Sequence, residues 1–147
     1  SDFEDAIQTK KARISISVTG QTKVLRFQFR QLFHNLISNS LKFSKKHIAP
    51  VITIKSKVES GSDIPDQLSD KKKYIHIIYT DNGIGFDPQY KDRIFEVFQH
   101  LHSFDEYNGT GIGLAICKRI VENHKGRITA NSKPNKGARF DIYLPYE

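Results

Sequence analysis

The chain has 147 residues, of which 37% are apolar, and a formal charge of +7. That is the length and composition of one globular domain, with ten Phe and six Tyr to anchor a core, and it excludes a disordered chain. No run approaches the ~18 apolar residues of a membrane-spanning helix, and Ser1–Asp5 has neither the basic end nor the apolar run of a secretory signal. The single cysteine, Cys117, cannot form an internal disulfide and reads as a buried thiol in a reducing compartment. Short basic clusters (Lys10-Lys11, Lys45-Lys46, Lys71 to Lys73, Lys118-Arg119) lack interleaved aromatics. They suit a solvated face and anionic ligands and give no sign of nucleic-acid binding.

Residues 12–18 alternate Ala12, Ile14, Ile16 and Val18 with polar residues, which predicts a half-buried strand. Gly20-Gln21-Thr22 reads as a turn, with a short strand at Val24-Leu25. From Phe27 to Phe43 the period becomes helical, with Phe29, Leu32, Phe33, Leu36 and Ile37 as the apolar face. Pro50 marks the exit, a strand covers 51–58, and 59–73 reads as a hairpin loop. Tyr74 to Thr80 is too continuously apolar for one wet face and is predicted to be a central strand, ended by Asp81-Asn82-Gly83. A helix is expected from Pro88 or Asp92 to Phe98, and a long one from Thr110 to His124, stopped by Gly126. Strands follow at 127–131 and 138–144 around the turn Pro134-Asn135-Lys136-Gly137. About three helices and five to seven strands, mostly hairpin-connected, make a two-layer α/β sandwich.

Three segments carry chemistry. On the first helix Gln31, Asn35 and Asn39 recur every four residues and Lys42 follows, so all share the face opposite the apolar one. Amide oxygens are neutral hard ligands suited to Mg²⁺ when phosphates supply the negative charge, and a lysine one turn on can meet those phosphates. A solvated polar face is the plain alternative. The second segment, Asp81-Asn82-Gly83-Ile84-Gly85, closes an apolar strand. Its carboxylate can accept from an exocyclic amine, and its glycines let a flat ring come close; alone it is also a common turn sequence. The third, Gly109-Thr110-Gly111-Ile112-Gly113-Leu114, opens a helix whose free amides can hold phosphate oxygens. It lacks the Lys-Ser/Thr of a P-loop and the leading strand of a dinucleotide fold.

Together these segments describe one Mg²⁺–nucleotide site, and here the sequence resembles the catalytic ATP-binding domain of sensor histidine kinases, in the superfamily of DNA gyrase B, Hsp90 and MutL. Asn35 to Phe43 resembles the N box, Asp81 to Gly85 the G1 box, Ile94 to Phe98 the F box, and Gly109 to Ile116 the G2 box. The likeness runs from about residue 12 to 145. The run from Phe98 to His102, then Glu106-Tyr107, is similar to phytochrome-like and PAS-linked kinases. The resemblance implies an α+β fold with a mixed, largely antiparallel sheet packed on about three helices. It implies ATP and Mg²⁺ as cofactors. Asn39 with Asn35 would hold the metal, Lys42 a phosphate, and Asp81 the adenine amino group, with Gly83 and Gly85 beside the ring. Gly109, Thr110, Gly111, Ile112, Gly113 and Leu114 would bind the nucleotide. Residues 99–109 would form a lid, its base docked by Phe95 and Phe98.

The catalytic positions implied are Asn35, Lys42, Gln31 and His100. Hydrolysing relatives place a glutamate base four residues before the metal-binding asparagine, where this chain has Asn35, and an amide cannot take a proton from water. Gln31, where some kinases carry an acid or histidine, is not a base either. His34 lies about 100° per residue step off that face and reads as packing or surface. His100 stands in the lid where relatives often have arginine. The six histidines are followed by Asn, Ile, Ile, Leu, Ser and Lys, never by the Glu or Asp of an acceptor motif. The resemblance therefore implies a single catalytic domain whose partners are a phosphoacceptor histidine domain of the same, homodimeric protein and a downstream response regulator. It would be displayed in the cytoplasm, without nucleic acid or direct membrane insertion. As a fragment it is expected to bind Mg–ATP without labelling itself. An ATP-driven clamp and a degenerate binding module are the alternatives.

Overall fold

A computed structural model describes residues 7–18, 24–64, 72–96 and 113–146. After a helical turn at 7–10 come β1 (Arg13–Ser17), α1 (Arg26–Lys42), β2 (Val51–Ser60), β3 (Lys73–Asp81), α2 (Gly113–Asn123), β4 (Arg127–Ser132) and β5 (Ala138–Pro145). The strands form one sheet in the order β1-β2-β3-β5-β4. Only β1 and β2 are parallel, and α1 makes the crossover that a parallel pair needs. The other pairings are antiparallel, with Ile54 opposite Tyr79 and Tyr79 opposite Phe140.

Strand alternation decides which side chains meet the helices. Ile52 and Ile54, then Ile75, Ile77 and Tyr79, then Phe140, Ile142 and Leu144 form the helix-side layer. Leu32 and Leu36 of α1 and Cys117, Ile120 and Val121 of α2 pack onto it. Burial raises the Cys117 thiol to about 12, so this cysteine is a core residue and not a nucleophile.

Several expectations need correction. β1 is an edge strand, and only Ile14 packs against the core; Ile16 is 65% exposed. Val24 and Leu25 form no strand: Leu25 is the residue before α1, and its N–H donates to His124 Nε2 at 2.9 Å. The loop expected at 59–73 is shorter, because β2 runs to Ser60 and β3 starts at Lys73. In place of a helix after Pro88 there are two 3-10 turns, Pro88–Tyr90 and Arg93–Phe95. Adjacent Ile94 and Phe95 both reach the core from the second of these turns. At the end of α2 it is Lys125, at φ 61, that turns left-handed. Lys125 N–H donates to Glu122 O and Gly126 N–H to Val121 O, a Schellman closure. Gly126 is required for another reason, since a Cβ there would lie 2.2 Å from Tyr143 O. The turn at Gly20 to Thr22 and the tip at 65–71 lie outside the described residues.

The outer face of β3 is buried too, by charge. His76 lies between Glu59 Oε1 at 2.8 Å from Nδ1 and Asp141 Oδ1 at 2.7 Å from Nε2. Two carboxylates require both ring nitrogens to donate, so the ring is an imidazolium. Arg139 grips Asp141 from Nη2 at 2.8 Å, Lys57 reaches Glu59 at 2.8 Å, and Tyr143 stacks on the imidazole at 4.3 Å. Burial alone would lower the His76 pKa, but Asp141 and then Glu59 outweigh it and hold the ring above its ordinary 6.5. Burial would raise both carboxyls, but their cationic partners hold them below the ordinary range. The sign follows. The contribution of His76 is full below about pH 6.5 and is lost as pH rises through its raised value, while those of Asp141 and Glu59 are lost only as pH falls through their lowered ones. The thermal midpoint of the chain should therefore fall as pH rises above about 6.5 and through the raised His76 value, and His76→Gln should remove that fall and lower the midpoint at about pH 6. An equally steep fall in the variant would contradict the imidazolium assignment.

Candidate functional site

Both long sequence segments that are described converge on α1. Its inward positions, Leu32, Leu36, Ser40 and Leu41, are buried, and its outward face carries exposed Gln31 and Lys42 and half-buried Asn35 and Asn39. This is the predicted division of the helix. Asn35 Nδ2 donates to the Gly113 carbonyl at 3.4 Å, so α1 meets the first residue of α2. With a donor of Asn35 used this way, the amide oxygen is what it can offer a cation.

Asp81, at the end of β3, is built as an acceptor. Its Oδ1 accepts from Gly83 N–H at 3.0 Å and Ala138 N–H at 3.1 Å. Its Oδ2 accepts from Ser40 Oγ–H at 2.6 Å. A carboxylate has about four acceptor positions, so one on Oδ2 is left for a ligand donor. The loop that follows is clamped from two sides. Ile84 N–H donates to Phe43 O at 3.0 Å, at the end of α1, and Ile84 O accepts from Asn135 N–H at 2.6 Å, in the β4–β5 turn. Phe86 N–H donates to Ser132 Oγ at 2.8 Å. Asn82 Oδ1 accepts from Val51 N–H at 2.8 Å, so this residue fixes the start of β2. Lys10 Nζ donates to the Leu41 carbonyl and, at 2.9 Å, to Ser44 Oγ, closing the end of α1.

The glycines of this loop are explained by close packing. A Cβ on Gly83 would lie 2.6 Å from Phe43 O. Gly85 has φ +68, and a Cβ there would lie 2.4 Å from Lys133 O, so its missing side chain serves the β4–β5 turn. Leu114 is partly buried against the core, and Phe95, buried within it, packs edge-on to Phe140 at 6.2 Å. His34 is exposed. Gly109, Thr110, Gly111, Ile112, His100, Phe98 and the expected lid at 99–109 lie outside the described residues.

Sequence reasoning missed Ser40, Tyr79, Ser132 and Gly137. Ser40 Oγ contacts Tyr79 Oη at 2.7 Å as well as Asp81. The signal existed: Ser40 follows Leu36 by four on the apolar face, and Tyr79 alternates with Ile75 and Ile77. Two buried hydroxyls on facing apolar layers need each other. Gly137 has φ +79, and a Cβ there would meet Asp81 O at 2.0 Å; nothing in the Asn135-Lys136-Gly137 turn announces that contact.

An outward amide face and a tethered acceptor carboxylate thus meet on a five-stranded α+β sandwich. The histidine kinase MprB has the same fold, with a TM-score of 0.75 at 22% identity over 98% of this chain and 90% of that one. The catalytic domain of histidine kinase ThkA gives 0.71 at 22% identity, covering 98% and 86%. The model of the family "Histidine kinase-, DNA gyrase B-, and HSP90-like ATPase" matches residues 24–147, and the chain belongs to that family. Cyanobacterial phytochrome A of Nostoc sp. is 47% identical over 80% of this chain, and phytochrome-like protein Cph1 of Synechocystis sp. 37% identical over 99%. This chain spans 14% and 18% of those proteins' lengths. Among the described residues no helix is long and apolar enough to cross a membrane.

Gly137→Ala should cost at least ~2 kcal/mol in urea denaturation, combining a left-handed φ with a clash against Asp81 O. A change within about 0.5 kcal/mol would show that Asp81 does not depend on this turn.

Proposed function

We propose that this chain is the catalytic part of a sensor histidine kinase, which holds Mg²⁺–ATP and presents its γ-phosphoryl group to a histidine on a separate helical domain. The observation that supports this best is the free acceptor position on Asp81 Oδ2, in a carboxylate whose other oxygen already accepts two backbone N–H groups. An adenine amino group is the donor that fits it. The amide oxygens of Asn39 and Asn35 would hold Mg²⁺, and Lys42 would meet a phosphate; the metal, when bound, supplies charge neutralisation across the phosphates. The Gly109 to Leu114 segment would hold phosphate oxygens, with 99–109 as the lid above them.

Transfer then requires positioning more than bond-making by the protein. A neutral imidazole nitrogen of the acceptor attacks the γ-phosphorus, an N–P bond forms, the bond to the β–γ bridging oxygen breaks, and ADP leaves. The imidazole is itself the nucleophile, so no side chain here need activate it. Water would need a base, and neither Asn35 nor Gln31 can serve as one. That favours a kinase over an ATP-hydrolysing clamp. The phosphohistidine would pass its group to an aspartate of a response regulator.

Incubation with γ-labelled ATP, Mg²⁺ and an acceptor-bearing two-helix fragment in trans should label the fragment and not this chain. Steady phosphate release without an acceptor would favour the clamp, and ATP binding with neither release nor transfer would favour a binding module.

A further inference from the structure

Two hydroxyls behind Asp81 have no part in the reading above. Ser40 is 2% exposed and Tyr79 is fully buried, on facing layers of the core. Ser40 has one O–H to give and gives it to Asp81 Oδ2 at 2.6 Å. In its 2.7 Å contact with Tyr79 it must then accept, so the phenol is the donor. The polarity of the chain is fixed: Tyr79 O–H to Ser40 Oγ, Ser40 O–H to Asp81 Oδ2. Burial holds the Tyr79 phenol well above its ordinary value, so it remains a donor throughout the working pH range.

We infer that Ser40 and Tyr79 are specificity-determining positioning residues: their relay fixes the plane of the Asp81 carboxylate and leaves Oδ2 a single acceptor position, aimed at an exocyclic amino group of the nucleobase. The inference rests on the nucleotide reading given above. Its physical content is rotational. Gly83 and Ala138 hold Oδ1 by bonds of 3.0 and 3.1 Å, and a turn about the Cβ–Cγ bond, which swings both oxygens, would without Ser40 be resisted on that side alone. Ser40 is the only side-chain donor to Asp81 among the described residues, and it restrains that turn. Linked hydrogen bonds of one polarity strengthen one another, so Tyr79 sharpens the restraint without touching the ligand.

The test is competition binding to the full chain of ATP against purine riboside triphosphate, which keeps the ring and phosphates but has hydrogen where adenine has its amino group. Wild type should prefer ATP. Ser40→Ala should weaken ATP about tenfold and leave the analogue within about twofold, so that the preference collapses. Tyr79→Phe, which keeps the ring in place, should reduce the preference about threefold. A merely structural role would weaken both nucleotides together, and an unchanged preference in folded variants overturns the inference. If Ser40→Ala does not fold, Tyr79→Phe decides alone by the same criterion. A folded wild type that binds neither nucleotide would defeat the nucleotide reading itself and this inference with it; a wild-type preference that survives both substitutions would defeat this inference only.

Discussion

Phe43 O, at the end of α1, accepts from Ile84 N–H at 3.0 Å, and one turn earlier Ser40 reaches Asp81 at 2.6 Å. These two bonds join the last turn of the first helix to the loop after the central strand. The helix brings the outward amides, the strand brings the acceptor carboxylate, and their distance is set by contacts that a Cβ on Gly83 would disrupt. The β4–β5 turn closes the loop from the far side through Asn135 N–H, Ser132 Oγ and Ala138 N–H. A site assembled on rigid elements keeps the angle of its acceptor lone pair, which is what discrimination between an amino donor and its absence requires.

The sheet beneath is stiffened on both faces by different means. On the helix side it is close-packed aliphatic and aromatic residues, and the buried Tyr79 hydroxyl is partnered by that of Ser40. On the outer side His76 sits between two carboxylates that are themselves paired to Arg139 and Lys57. Burying one of these charges alone would be costly, and the alternating signs offset the desolvation. β3, the central strand, is thus packed on both faces up to its last residue, Asp81.

Much of this was legible in the sequence. The two-layer sandwich of helices and strands, the central position of β3, a helix from about Phe27 to Phe43 and its polar face of Gln31, Asn35, Asn39 and Lys42 all follow from periodicity, because strong amphipathic patterns leave few options. Asp81 stood out as an acid at the end of an apolar strand. What escaped were contacts between segments distant in sequence. Val24-Leu25 looked like a strand because its residues are β-prone, but the N–H of Leu25 is taken by His124, far along the chain. Gly126 looked like the helix stop, yet Lys125 takes the left-handed turn and Gly126 is small for the sake of β5. Gly85 is also small for the sake of a turn about fifty residues away, which its own segment does not announce. A single sequence carries the local cause of a glycine or a polar residue far better than its tertiary one.

The account turns on Asp81 as the nucleobase acceptor, and calorimetric titration of ATP into the folded chain and into Asp81→Asn, each with and without Mg²⁺, tests that most directly. In the variant, Gly83 and Ala138 N–H hold the amide oxygen in the Oδ1 position, which leaves the NH₂ facing the adenine amine, donor against donor. Saturable one-to-one binding by the wild type, strengthened by Mg²⁺ and weakened about a hundredfold or more in the variant, is the predicted result. Equal affinity in the variant, or no binding by a folded wild type, would contradict it.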